Sequence, residues 1–337
     1  MNQPTLSPRV RAILSYAAPA VVAAVLLLTA GGLRLGTVND LTSLLLLMIL
    51  AVAWNLVAGF GGQFSLGHSI FVGVGGYTTA VILSYFEVSL VLALLAAGLV
   101  SALTGVVLSY PLRRLRGPYL AIGSLGMALA AMGWMMNWSF TKASQAYPLP
   151  PKQVPGLLEI FQITTVVAAV AVIAAIALLR SPLGLRLVAL RDDEKGAASL
   201  GVRRLRTLVP VWALSGFITG LMGSLLALQK GNLTPAAAFN LQFVLDAAIV
   251  CVIGGLGTLS GPIIGAVVVY YMRQLSVDFA EWSLLIEGVI VVLVVRFVPG
   301  GIVGIASKAW VAGRRRFTGR GPASEVTGVI EIPGVKV

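Results

Sequence analysis

Cysteine and histidine are almost absent from this chain, which holds one of each, Cys251 and His68, in 337 residues. A lone cysteine excludes an internal disulfide framework, and a lone histidine excludes the common Cys/His zinc sites, so no resident metal is expected. No Gly-x-x-x-x-Gly-Lys-Ser/Thr phosphate loop occurs, so the chain lacks a recognisable means of binding ATP itself, and no cofactor is expected in it. Hydrolytic chemistry would need a nucleophile with an oriented base, or paired acids converging in a cavity. A single histidine and scattered carboxylates supply neither, so the chain does not read as an enzyme. Charge is scarce as well, at 11% of residues, where soluble domains carry about 25%.

Apolar residues fill the gap: 58% of the chain is hydrophobic and the mean hydropathy is +0.95. Even large soluble domains leave much of their area wet, so a water-facing surface could not be built from this composition. The solvent is lipid. The excess of 24 basic over 12 acidic residues, a net charge of +12, then reflects the retention of inner loops by their charge rather than a nucleic-acid partner.

Apolar stretches long enough for a bilayer start at Leu14 to Leu33 and Leu41 to Gly59. They continue with Ser65 to Phe86, Val88 to Tyr110, Tyr119 to Trp138, Gln162 to Leu179 and Leu208 to Leu228. Three shorter ones follow, Gln242 to Ile253, Pro262 to Leu275 and Trp282 to Val295. The expected fold is therefore all-α, a polytopic transmembrane helical bundle of about ten spans. Arg9 and Arg11 before the first apolar run resemble a signal peptide, but the helices that follow favour an uncleaved first span.

Basic residues set the orientation. With the N-terminus inside, the inner segments hold Arg9 and Arg11, then Arg113, Arg114 and Arg116, then seven basic residues from Arg180 to Arg206, and seven more from Arg296 to Lys336. The outer segments keep only Arg34, Lys142, Lys152, Lys230 and Arg273, so both termini are expected to be cytoplasmic. The chain divides into a transmembrane domain over residues 1–310, with an inner loop at 180–207, and a basic cytoplasmic tail over 311–337 that could touch anionic lipid.

Lipid gives helices no hydrophobic reason to associate, so close packing relies on small residues. Three stripes stand out at helical spacing: Ser65, Ser69, Gly73, Gly76 and Ala80; Gly216, Gly220, Ser224 and Ala227; and Gly257, Gly261 and Gly265. Two of them grow from nearly uncharged glycine-rich runs, Gly59 to Gln63 and Gly254 to Pro262. Such runs are either tight turns or broken helices whose freed backbone groups line a cavity.

Ionisable groups at membrane depth are costly and mark candidate sites. Asp246 and Glu287 lie about one turn into the eighth and tenth spans; each would either bind a solute's amino group or pair structurally, with Arg273 as one partner. His68, beside Ser65 and Ser69 and near Gln63, is either a pathway hydrogen-bonding group or a packing residue. In the inner loop, Asp192, Asp193 and Glu194 favour a helix N-terminus, and Gly201 a helix end, so a short helix is expected between them.

At that loop the chain resembles a family. Glu194, Ala197, Ala198 and Gly201 look like a variant of the cytoplasmic "EAA" loop of ABC importer permeases, with Lys195 and Gly196 interrupting it. Asn55 to His68, Arg116 to Ile122, Ser181 to Gly201, Gly254 to Gly265 and Arg296 to Ile302 resemble, in order, the blocks of branched-chain amino-acid ABC permease subunits. The resemblance implies a heteromeric importer in the bacterial cytoplasmic membrane. Its other members would be a second related permease, two cytoplasmic ATPases that use ATP and magnesium, and an extracytoplasmic solute-binding protein. It implies alternating access driven by the ATPases, with Asp192, Asp193, Glu194, Ala197, Ala198 and Gly201 coupling to them. The competing reading is a self-contained carrier or channel that uses the glycine breaks with Asp246 or Glu287 directly. The outer segment Thr141 to Pro151 departs from the glycine-rich loop usual in the family, which leaves urea, amides and small aromatic acids open beside Leu, Ile and Val.

Overall fold

In hydrocarbon every backbone amide must find its partner inside the chain, and long Leu, Val and Ala runs satisfy this as helices. The computed structural model, which describes residues 8–86, 88–275, 288 and 300–304, is built accordingly. Its helices are α1 (Pro8–Thr29), α2 (Leu35–Asn55), α3 (Ser69–Tyr85), α4 (Leu90–Leu112), α5 (Pro118–Asn137) and α6 (Leu157–Arg180). They continue with α7 (Pro182–Asp192), α8 (Glu194–Ser199), α9 (Arg204–Lys230), α10 (Pro235–Ala238), α11 (Gln242–Gly254) and α12 (Gly261–Leu275). Among the described residues, six segments are long and apolar enough to cross a membrane: Leu35–Phe60, Leu90–Leu112, Pro118–Asn137, Leu157–Arg180, Arg204–Lys230 and Pro235–Gly254. Tyr16–Gly32 and Ser69–Tyr85 are shorter apolar helices. The span expected at Trp282 to Val295, with Glu287, and the basic tail lie outside the described residues.

Helix α9 is the axis of the bundle, packed between α3 and α4 and against α2. The α3 contact is a backbone approach: a Cβ added at Gly75 would run into the Gly220 carbonyl, and one at Gly223 into that of Val72. Gly76 sits against the Gly223 carbonyl. Hydroxyls then bridge the closed gap, Thr79 donating to Ser224 Oγ at 2.7 Å and Ser224 to the carbonyls of Gly220 and Gly75 at 2.9 and 3.1 Å. Of the stripes read from the sequence, the one on α9 is buried between its two neighbours, Gly216 and Gly220 meeting Ser101 of α4 while Ser224 bonds to α3. Two stripes need correction. Ser65 precedes α3 and Gly257 precedes α12, so neither lies on a helical face, and Gly73 packs on the Phe239 ring.

The stripe on α4 was not foreseen. Ala93, Ala97, Ser101, Gly105 and Ser109 recur every four residues and are buried, while Leu92, Leu95, Leu99, Leu103 and Val107 are exposed on the other side. A helix this apolar all round shows its inner face only by side-chain size.

Helices α11 and α12 form an antiparallel hairpin. Gly254 meets Gly261, Gly265 meets the backbone of Val250, and Asp246 meets Arg273, so contacts move outward from the turn on both arms. Away from the helices, a two-residue antiparallel pairing joins Tyr147 to Leu233 and Pro148 to Asn232, tying the segment after α5 to the end of α9.

Candidate functional site

The basic loop at 180–207 folds as two helices. Ser181 caps α7, its Oγ accepting from the Leu183 N–H at 3.2 Å, with Pro182 in the first turn where no amide proton is needed. Asp193 is extended and caps α8, accepting from the Lys195 N–H at 3.0 Å. The helix ends as its sequence predicts: Gly201 takes a positive φ of 82°, its N–H donates to the Ala198 carbonyl, and that of Val202 to Ala197. Gly196 follows from the cap, because a Cβ there would strike the Asp193 carboxylate. Asp192 is corrected in place: it closes α7 rather than opening α8.

Glu194 stitches α8 to the segment before α5 and to the start of α9, accepting from Arg116 at 3.0 Å and from Arg204 at 3.3 Å. Arg204 also donates to the Leu115 carbonyl. With Gly61, Gly62, Gln63 and Arg191 these groups line a cavity of about 230 Å3. Ala197 faces inward, while Ala198, Ser199 and Leu200 are exposed, Leu200 by 86%.

The two glycine runs converge beneath this loop. Helix α2 runs into a π turn (Leu56–Phe60), a wide turn that commonly marks functional positions. Gly59 lies so close to Gly257 that a Cβ on it would sit 2.6 Å from the Gly257 nitrogen. Asn55 stitches them, accepting from the Gly257 N–H at 3.0 Å and donating to the Thr258 carbonyl at 2.9 Å. Gly255, Gly257 and Gly301 all have positive φ, and Gly301 abuts Gly255. Blocks separated by about 200 residues are thus one structural unit, which the sequence could not show.

The remaining candidates sit in a buried polar layer just beside it. Gln63 accepts from the Trp212 indole at 2.9 Å, and the Ser65 carbonyl accepts from that of Trp54 at 2.9 Å. Ser65, His68 and Ser69 are fully buried. The Ser215 hydroxyl donates to the Ala53 carbonyl at 2.8 Å and lies 3.0 Å from His68 Nε2. With its only proton committed, Ser215 accepts from His68, which fixes the Nε2–H tautomer and leaves Nδ1 an acceptor with no hydrogen-bond partner among the described residues. Ser215→Ala leaves the His68 donor and the Ala53 carbonyl unsatisfied, so it is expected to destabilise by about 2 kcal/mol, read as a lowered thermal midpoint of the detergent-solubilised protein. An unchanged midpoint would mean that water or another group replaces the hydroxyl.

Asp246 lies elsewhere, buried to 9% exposure. Both carboxylate oxygens accept from Arg273, at 2.7 and 3.0 Å, and Gln242 donates to Oδ1 at 2.7 Å. The pair borders a cavity of about 280 Å3 together with Ser43, Gln229 and Lys230.

A bundle of apolar helices knit by backbone approach, with a small capped helix on a basic loop, has the architecture of a membrane-embedded subunit. Comparison with known proteins places it: the family described as branched-chain amino acid transport system / permease component matches residues 36–295, and the chain belongs to that family. It is similar to the high-affinity branched-chain amino acid transport system permease protein LivM of Salmonella typhimurium, with 31% identity over 79% of this chain and 70% of that protein. LivH of Escherichia coli K12 is 24% identical over 76% of this chain and 90% of its own length. The autoinducer 2 import system permease protein LsrC of Salmonella paratyphi B is 30% identical over 46% of this chain and 45% of its own. No solved structure matches.

Proposed function

We propose that this chain is one membrane-spanning subunit of an ABC importer for branched-chain amino acids, moving its solute by alternating access in the bacterial cytoplasmic membrane. The observation that carries the reading is α8, a self-capped helix that holds Ala197 inward through its packing and presents Ala198, Ser199 and Leu200 outward. A rigid exposed helix on a basic inner loop suits docking to a soluble motor subunit. The substrate class comes from the printed names of LivM and LivH.

The same reading supplies the partners: a second related permease, two ATPases that use ATP and magnesium, and a solute-binding protein outside. It sets both termini in the cytoplasm on the strength of the basic-residue asymmetry. Six long spans, the shorter α1, α3 and α12, and the apolar stretch Trp282 to Val295 make about ten crossings.

Charge reversal at Asp193 and Glu194 removes the cap of α8 and its two arginine contacts. The Arg116–Glu194 pair is open to solvent and the Arg204–Glu194 pair only partly buried, and solvent-accessible ion pairs are worth about 1 kcal/mol or less each, so the bundle is expected to stay folded while ATPase co-purification is lost. ATP-dependent uptake of radiolabelled leucine into liposomes, with the binding protein present, is expected to fall with it. Leucine flux that persists without ATPases would overturn the importer in favour of a self-contained carrier.

A further inference from the structure

Arg191 occupies a position that neither docking nor packing of the loop requires. It lies near the end of α7, two residues before the Asp193 cap of α8. Its Nε is held by Asp192 at 2.9 Å, and its Nη1 donates to the Gly59 carbonyl at 3.3 Å. The same Nη1 lies 3.0 Å from where a Cβ on Gly257 would stand, and the Arg191 Cγ covers Gly62, whose φ is +64°. One side chain therefore touches both glycine breaks at the point where they touch each other.

Those breaks have the makings of a joint. The π turn after α2 leaves the regular hydrogen-bond ladder, with the Gly61 N–H donating to the Leu56 carbonyl and that of Gln63 to Val57. Across from it, Gly254 and Gly261 bring the two arms of the α11–α12 hairpin into backbone contact. The Asn55 side-chain amide locks the two breaks together by bonding to backbone atoms of Gly257 and Thr258, so a displacement of one is passed to the other. Packed elements that meet through a few directional bonds shift between discrete arrangements rather than deforming smoothly.

We infer that Arg191 is a positioning residue that carries movement of α8 into the paired breaks at Gly59 and Gly257, and through Asn55 into α2 and the α11–α12 hairpin. This rests on the importer reading, in which α8 is displaced by a nucleotide-driven partner. The guanidinium suits the role because it is charged at every physiological pH and holds a planar fork, so its bond to a carbonyl is directional and charge-assisted.

The test uses the full complex reconstituted in liposomes, comparing the original chain with Arg191→Gln and Arg191→Lys. The Arg191 side chain is about one-third exposed (34%), so shortening it opens no buried void. Three readouts are taken: ATPase co-purification, ATP hydrolysed, and leucine accumulated per ATP. In Arg191→Gln the ATPases are expected to stay bound and to hydrolyse ATP, while leucine per ATP falls about tenfold, a size typical of coupling between sites. Arg191→Lys, which keeps a cationic donor, is expected to recover much of that ratio. An unchanged ratio in Arg191→Gln would overturn the inference and leave the importer standing. Loss of ATPase binding in Arg191→Gln would make Arg191 a docking residue and also overturn it. Failure of the original chain to bind ATPases at all would bring down the importer reading, and the inference with it.

Discussion

Gly223→Val is expected to abolish the folded protein. The new Cβ would enter the Val72 carbonyl and lie 2.8 Å from the Val72 Cα and carbonyl carbon, and neither backbone can yield by a rotamer change. To admit it, α3 and α9 must separate, which also breaks the bonds from Thr79 to Ser224 and from Ser224 to the Gly75 carbonyl. Overpacking against mobile side chains costs about 1–3 kcal/mol; a clash between two backbones exceeds that. In lipid there is no hydrophobic drive to pull the separated helices back together. The measurement is size-exclusion chromatography of the full chain in mild detergent, where the variant is expected to run as aggregate. Gly133→Ala is the control: a Cβ there meets nothing within 4 Å, and helix propensity predicts a gain of up to about 1 kcal/mol. Normal folding of Gly223→Val would overturn the close approach of α3 and α9.

Asp246→Leu is expected to cost about 2 kcal/mol. Removing one partner of a buried ion pair typically costs about 3–5 kcal/mol, and the 37% exposure of the Arg273 side chain lets water offset part of that. Asp246→Leu with Arg273→Met replaces both charges with apolar groups of similar reach. That double variant is expected to recover at least half of the loss, because the guanidinium that loses the Asp246 carboxylate is removed with it. Thermal midpoints of the four proteins give the coupling, and uptake by the reconstituted importer is expected to survive in the double variant. Full stability in Asp246→Leu together with lost uptake would instead make Asp246 a ligand for the solute. The geometry argues for the structural role: Arg273 and Gln242 already address the carboxylate oxygens.

Much of this was legible before any coordinates. Lipid as the solvent follows from 11% charge and 58% apolar residues, since no arrangement of that composition can face water. The α8 helix was legible too, because its Asp193 cap and its Gly201 end are local chemistry, written within a few residues of the atoms they satisfy. Local rules failed by one position at Asp192, which closes the preceding helix instead.

Other features were out of reach for definite reasons. The packed face of α4 carries small residues on a helix that is apolar throughout, so periodicity of hydrophobicity says nothing about which side is inside. Gly75 and Gly223 make closer backbone contacts than Gly73, yet all are glycines at helical spacing; only the crossing of α3 over α9 selects among them. For Asp246, the sequence offered Arg273 as one partner among several, and the antiparallel α11–α12 hairpin decided it.

The solvent, the helical class and the ends of α8 follow from the sequence alone, because each depends on composition or on bonds within one turn of chain. Tertiary structure alone decided that Asn55, Gly59, Arg191, Gly257 and Gly301 form one joint. Those residues come from segments far apart in the chain, and what unites them is backbone-level contact. Such contact depends on how helices cross, and no local pattern of side chains encodes it.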